Sequence, residues 1–269
     1  MSNVKLGITN FLVSAQSAGL VLKNGTGGGA PALFELAPWT MAKLLHHDRY
    51  DLWRSGDLGI GNYDVDFSFG ADKTIDTVAY CGFRTQYGRV DQIEVFTQTG
   101  AYTPGGTWTS RGILDGTSLG GGGLGLRDDW IEFSAITCRS VRFEIAVSID
   151  PTSFTLGNFY ACDVTDLGGI YSRGGSRTIE QIRSEQTLPS GVVVLNQLGL
   201  VAKTFSFPWA SCPAAVRTAF ILAQVQPYPA LLIDEIPAVY EVFMRAGKLT
   251  DALVFGSTYD VDVEFVGMP

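Results

Sequence analysis

Apolar and polar residues alternate one for one along two stretches of this chain. Tyr63, Val65, Phe67 and Phe69 alternate with Asp64, Asp66 and Ser68, the pattern of a strand with one buried face. Far downstream, Tyr259, Val261, Val263 and Phe265 alternate in the same way with Asp260, Asp262 and Glu264. Strand-like segments recur between them at 74–83, 92–99, 107–114, 129–135, 138–147 and 154–164. Their linkers carry turn residues: GADK, TPGG and the Gly-rich LGGGGLG of Leu119 to Gly125. Many short strands with little helical period between them predict an antiparallel sandwich or jelly roll.

Near residue 165 the character changes. VTDLGGIYSRGGSRTIEQIRSEQTLPSG is rich in Gly, Ser and Arg and reads as a connection with one exposed hairpin. Two strand patterns follow, VVVLNQLG and 202–209, and then a helix over SCPAAVRTAFILAQVQ. Ser211 is its expected N-cap and Pro213 falls in its first turn. Val216, Phe220 and Ala223 share one face, with Ala219 beside them, and Pro227 and Pro229 end it. PALLID, VYEVFMRAG and STYDVDVEFV then read as strands. The chain is therefore expected to be mostly β: an N-terminal jelly-roll sandwich and a smaller C-terminal β-barrel or sandwich with one flanking helix. The expected divisions are an arm or first strands at 1–35, the sandwich at 36–165, a connector at 166–190 and the small β domain at 191–269. Within the sandwich, 36–46 allows a short helix or an irregular turn.

The net charge is −8, and no run of Lys or Arg stands out. This argues against nucleic acid as the main partner, since a phosphate backbone is held by clustered cations. The opening MSNVKLGITNFLVSA has no continuous apolar segment of signal-peptide type, and no run reaches the roughly twenty apolar residues of a membrane span. The expectation is assembly in a cytoplasm without membrane insertion. Cys81, Cys138, Cys162 and Cys212 are far apart and lie in or beside apolar runs, as buried small hydrophobes do. Zinc would need histidines, and the chain has two, His46 and His47. As adjacent residues these point in different directions and do not share a metal.

Catalysis finds little to work with. A Ser–His–Asp triad would have to use His46 or His47, and no GxSxG sits on a strand-to-helix turn. Asp128 and Asp129 beside Trp130 suggest a glycosidase pair. Neighbours on a strand face opposite sides, however, so the plainer reading is a solvated strand start. LGGGGLG lacks the Lys and Ser/Thr of a phosphate-binding loop. No enzyme and no cofactor are expected, with a structural calcium held by Asp48, Asp51 or Asp57 as the one cation reading. Sugar binding needs an aromatic platform with polar partners for hydroxyls. The candidates are Trp53 with Asp51 and Asp57, Tyr87 with Arg84 and Arg89, and Trp108 near Tyr102. Arg173, Arg177 and Arg183 gather on the connector of an acidic protein, which suits a charged subunit interface.

Trp53-Arg54-Ser55, Phe69-Gly70 and Ile75-Asp76-Thr77-Val78 stand in an order that resembles the galactose-binding-like, or discoidin-like, β-sandwich family. Cys138-Arg139-Ser140-Val141-Arg142-Phe143-Glu144-Ile145 is similar to a late strand of that family. The resemblance covers roughly 40–165 and implies that Trp53 lies in the core. The chain lacks the disulfide pair that closes many secreted members, which fits assembly inside a cell. The second half looks like the barrel-plus-helix modules of phage tail proteins, through Phe205-Ser206-Phe207, the helix, Ala230-Leu231-Leu232-Ile233-Asp234 and the closing strand. Together the halves resemble a minor tail or baseplate protein of a tailed phage. That implies a non-enzymatic virion subunit, assembled in the host cytoplasm with other tail or baseplate subunits as a homo-oligomer or ring. Its sandwich would bind a host-surface glycan or serve as an assembly surface. The alternative is a free lectin-like carbohydrate-binding protein.

Overall fold

The computed structural model describes the backbone of residues 3–14, 20–24, 53–87, 89–103, 105–114, 127–168, 175–187, 193–234, 238–244, 250–255 and 258–267. Side chains are described in these ranges except at 13–14, 20–24, 83–87, 127, 156, 179–187, 193–202, 239, 250–255 and 258. The expected helix or turn at 36–46 lies outside the described residues.

The chain is mostly β. Its strands are β1 (Val4–Gly7), β2 (Leu20–Asn24), β3 (Trp53–Arg54), β4 (Gly61–Tyr87), β5 (Val90–Gln98), β6 (Thr109–Leu114), β7 (Arg127–Val147) and β8 (Ser153–Leu156). They continue with β9 (Asn158–Cys162), β10 (Val164–Gly168), β11 (Ser176–Thr187), β12 (Val193–Pro213), β13 (Ala230–Ile233), β14 (Val239–Met244), β15 (Thr250–Phe255) and β16 (Thr258–Gly267). The helices are α1 (Phe11–Ser14) and α2 (Ala214–Val225). Two compact units divide it: residues 7–164 with 236–239, and residues 1–6, 165–235 and 240–269.

The first unit is a sandwich built on two long antiparallel strands. The segments expected as separate strands at 62–69 and 74–83 are one strand, β4, and those at 129–135 and 138–147 are one strand, β7. Their pairing runs from Gly61↔Val147 to Phe83↔Arg127, with register shifts between Ser68 and Lys73, Ile75 and Thr77, and Tyr80 and Phe83. At the GADK turn residues 69–72 of β4 stand against the single residue 139 of β7, and pairing then resumes at Lys73↔Cys138. The C-terminal part of β7 also pairs with β5, and the later part of β4 also pairs with β9 and β8.

The rings that meet across the layers show where the core sits. Phe159 of β9 stacks on Phe143 of β7 at 3.9 Å and meets Phe67 of β4 edge-on at 5.8 Å. Gly157 separates β8 from β9 and lies against Cys81 and Gly82, where a Cβ would run into the Cys81 carbonyl. Trp53 is fully buried and tilts onto Phe154 at 5.7 Å, as the family resemblance implied. Ser55 fastens it there: its N–H donates to the Phe154 carbonyl, and its Oγ accepts the Phe154 N–H, both at 3.0 Å. All four cysteines are buried and unlinked, and burial pushes the Cys138 thiol up to about 11.

In the second unit, strands run in the order β10-β1-β13-β14-β16-β12-β11, with β15 on β16. Phe205, Phe207 and Trp209 of β12 stand directly opposite Phe265, Val263 and Val261 of β16, and all six are buried. α2 covers this sheet with Val216, Ala219, Phe220 and Ala223, the face read from its period, and Phe220 meets Trp209 and Phe265 at 6.2 Å each. Its start differs from expectation. Pro213 is the N-cap and no side chain caps the helix. Ser211 lies two residues before that N-cap with φ of 58° and donates its N–H to Asp260 Oδ1 at 2.9 Å. Cys212 and Pro213 are still paired to Tyr259 and Thr258, and this pairing holds the chain extended past the serine.

The apolar segments near the N-terminus do not pair with each other. β1 lies in the sheet of the second unit, whereas β2 pairs with β4. The expected connector contains β11, which forms a long antiparallel hairpin with β12. Among the described residues, no helix is long and apolar enough to cross a membrane.

Candidate functional site

On β4 the side chains alternate as predicted, but the polar face is not open to water. Asp64 is 5% exposed and Asp66 1%. Asp66 stands directly opposite Arg142 of β7, which in turn stands opposite Phe96 of β5. The Arg142 guanidinium grips Asp66 through two hydrogen bonds, Nε to Oδ1 at 2.7 Å and Nη2 to Oδ2 at 2.8 Å. Its Nη1 reaches Asp64 Oδ2 at 3.2 Å. A planar fork on a carboxylate is the strong form of ion pair, because both acceptors are met in one geometry.

The loop after β5 brings two aromatic rings over this pair. Trp108 lies against the guanidinium, 4.2 Å from ring centroid to Arg142 Cζ, a cation–π contact. Tyr102 meets Trp108 edge-on at 6.3 Å and donates its hydroxyl to Asp66 Oδ2 at 3.0 Å. Burial first, and then the Asp66 charge and hydrogen bond, push the Tyr102 phenol well above its ordinary pKa, so it stays a donor.

One step along the same face, Asp64, Glu144 and Glu94 stand side by side across β4, β7 and β5. Glu144 Oε1 accepts from Asn62 Nδ2 at 2.8 Å, and Glu94 Oε1 accepts from Ser110 Oγ at 2.6 Å. Burial first, then the Glu94 charge, raise the Glu144 pKa above the ordinary glutamate value, against Arg142 and Asn62, which lower it. A raised folded-state pKa means that the native protein binds this proton more tightly than the unfolded chain. The site therefore favours folding below the ordinary glutamate pKa and loses that advantage as pH rises through the raised value. Glu144→Gln is accordingly expected to melt higher than the native chain at pH 7, with the gap closing toward pH 4. Thermal melts across that range test this, and an equal gap at both ends would refute it.

The sugar candidates fall into two places. Tyr102 and Trp108 belong to the cluster just described. Tyr87 and Arg89 flank the β4–β5 turn, where Val90 pairs with Val147, whereas Gln98, before Tyr102, pairs with Ser140. These register points are about 26 Å apart at 3.3 Å per residue. The backbone of Arg84 and Tyr87 pairs with Thr155 and Ser153 of β8, and their side chains lie outside the described residues. Arg89 is exposed and pairs with Asp91 at 2.7 Å.

Of the calcium candidates, Asp48 and Asp51 lie outside the described residues and Asp57 is exposed. Among the described residues, no three His, Cys, Asp or Glu side chains are grouped to hold a metal ion. Arg173 lies outside the described residues, and Arg183 is described by its backbone alone, opposite Gln197. Arg177 is half-buried and ion-paired within the chain to the buried Asp234 at 2.9 Å.

The solvated strand start expected at Asp128 and Asp129 is corrected. Asp129 is 1% exposed, and its Oδ1 accepts the Trp130 N–H at 2.9 Å. Asp128 Oδ1 accepts the Gly82 N–H at 2.7 Å. Both carboxylates thus serve backbone donors where the long strands bend. Arg142, Asp66, Asp64 and Glu144 were not among the expected site residues. Their only signal was charged residues at alternate positions, Asp64 and Asp66 between Tyr63, Val65 and Phe67, and Arg142 and Glu144 between Val141, Phe143 and Ile145.

No protein-family model matches the chain, and no curated protein matches it. Among solved structures it is similar to a GH29 fucosidase of Ruminococcus gnavus in complex with fucose, at 15% identity and a TM-score of 0.41, over 58% of this chain and 27% of that one. It is similar to chitosan-binding module 1 of a chitosanase/glucanase from a Paenibacillus species, at 18% identity and a TM-score of 0.41, over 57% of this chain and 98% of that one. It is also similar to the module CBM32-1 of a family 31 glycoside hydrolase from Clostridium perfringens, at 15% identity and a TM-score of 0.38, over 54% of this chain and 94% of that one. The chain thus spans about a quarter of the fucosidase and nearly all of each module.

Proposed function

We propose that the first unit is a carbohydrate-binding module without catalytic activity, and that it takes its ligand on the outer sheet face beside Trp108 and Tyr102. The observation that carries this reading is the edge-to-face Tyr102–Trp108 pair set on the Arg142–Asp66 fork. A sugar ring offers an apolar C–H face and a rim of hydroxyls. Aromatic rings meet the first and charged side chains the second. Glu144 and Glu94 lie in the next cross-strand row, two residues or about 7 Å away, and a carboxylate accepts several hydrogen bonds. The rings are fixed by groups already bonded to one another, so ordering them on binding costs little. The tail or baseplate role draws no support from this arrangement.

The test is titration of the whole chain with galactose-, fucose-, glucose- and glucosamine-based oligosaccharides, followed by calorimetry. Native binding to at least one is expected, and Trp108→Ala should weaken it roughly tenfold or more, about 1.4 kcal/mol. Binding to none, or binding that Trp108→Ala leaves unchanged, overturns the reading.

A further inference from the structure

We infer that Gln98 is the positioning residue of this aromatic site, setting Tyr102 and Trp108 in their ligand-ready places without touching the ligand itself. The inference rests on the carbohydrate reading given above. Gln98 ends β5, pairs with Ser140 and is 3% exposed, so its side chain is closed to any ligand. Its amide is spent on one residue of the loop. Oε1 accepts the Thr103 N–H at 2.9 Å, while Nε2 donates to the Thr103 carbonyl at 3.0 Å and to Thr103 Oγ1 at 3.1 Å. A backbone N–H can only donate, which fixes the oxygen and nitrogen of the amide. The side chain thus acts toward Thr103 as a neighbouring strand would, with one donor and one acceptor side by side.

The loop closes on this clamp. The Gly106 N–H donates to the Thr103 carbonyl at 3.0 Å. Position 106 has no room for a side chain, since a Cβ there would run into Gln98 Nε2 and Thr103 Oγ1. Tyr102 immediately precedes the clamped residue and Trp108 follows two residues after the glycine. With Thr103 and Gly106 held, the Tyr102 hydroxyl meets Asp66 and the Trp108 ring meets Arg142. Without the clamp, binding would have to order the segment between the two rings and affinity would fall, although no ligand contact is removed.

Gln98→Met keeps the length and apolar stem and removes both hydrogen-bonding functions. Gln98→Glu keeps acceptors and removes the donors. Gly106→Ala strikes the clamp from the other side and serves if either glutamine variant fails to fold. Amide hydrogen exchange of the whole chain reads the clamp without any ligand, and titration with the same oligosaccharides reads its consequence. For Gln98→Met, exchange over 99–108 is expected to quicken roughly tenfold or more while β5 and β7 keep their protection. Affinity should fall by a similar factor with Trp108 and Tyr102 intact. Unchanged loop exchange overturns the inference. So does quickened exchange with affinity within about twofold of native, and if Trp108→Ala still weakens binding roughly tenfold or more then the carbohydrate reading stands alone. A native chain that binds none of the oligosaccharides overturns both.

Discussion

Arg142→Ala is expected to destabilise the sandwich by about 3–5 kcal/mol, the usual cost of removing one partner from a buried ion pair. The Asp66 side chain is fully buried and that of Asp64 7% exposed, and Arg142 binds both. Burial works against the charged guanidinium, yet the Asp66 hydrogen bonds and the charges of Asp66 and Asp64 outweigh it and leave its pKa raised. Taking the cation away leaves two like charges on one face of one strand with little water to screen them. Trp108 also loses the group it lies on. Lysine should restore only part of the loss, since a single ammonium cannot grip both Asp66 oxygens as the fork does.

The pH dependence separates this mechanism from simple loss of packing. In the alanine variant two buried carboxylates share one face without a cation, and neutralising either relieves that cost. Stability relative to native should therefore recover as pH falls toward the carboxylate range, and worsen as pH rises. Asp66→Asn in the same background should recover part of the deficit at neutral pH. Urea unfolding at pH 7 and pH 4.5 measures both effects. A deficit under about 1 kcal/mol, or one independent of pH, would show that the Arg142 fork does not hold this face together.

How much of this was legible in the sequence follows from the distance over which each signal acts. The period of two placed Val65, Phe67, Val261, Val263 and Phe265 in the core without any knowledge of partners. The helical period likewise found the buried face of α2. Turn chemistry misled where tertiary pairing overrode it. Gly70 adopts φ of 69° in GADK, yet β4 resumes pairing at Lys73↔Cys138, so the turn is taken up as extra residues on β4 rather than as the end of the strand. Ser211 has the chemistry of a cap, but the β12–β16 ladder holds the next two residues extended. Trp108 and Tyr102 could be nominated as loop aromatics close in sequence. The Arg142–Asp66 fork joins residues 76 positions apart, and only the strand register shows that they meet. The same register parts Tyr87 from Trp108, two candidates that composition alone could not tell apart.

The second large effect belongs to the other tryptophan. Trp53→Ala should cost about 3–5 kcal/mol, in the range for deleting a large buried aromatic, while leaving oligosaccharide affinity unchanged below the melting range. Its ring is fully buried on Phe154, and the two-residue strand β3 binds Leu156 and Thr155 of β8. The segment is then pinned by Ser55, whose backbone and hydroxyl both bond Phe154, and by Ser153 Oγ, which donates to the Ser55 carbonyl at 3.2 Å. With so short a strand, these bonds hold the segment where the ring fills its hole, and the hole cannot collapse without breaking them. Trp53→Phe, which keeps a ring against Phe154, should lose less. Scanning calorimetry of the whole chain distinguishes the transition that the substitution moves from any it leaves in place. The paired titration then sets the two tryptophans apart, with Trp53 governing the fold and Trp108 the binding. A melting transition that Trp53→Ala does not move, together with lost oligosaccharide binding, would transfer the ligand surface to the Trp53 end of the sandwich.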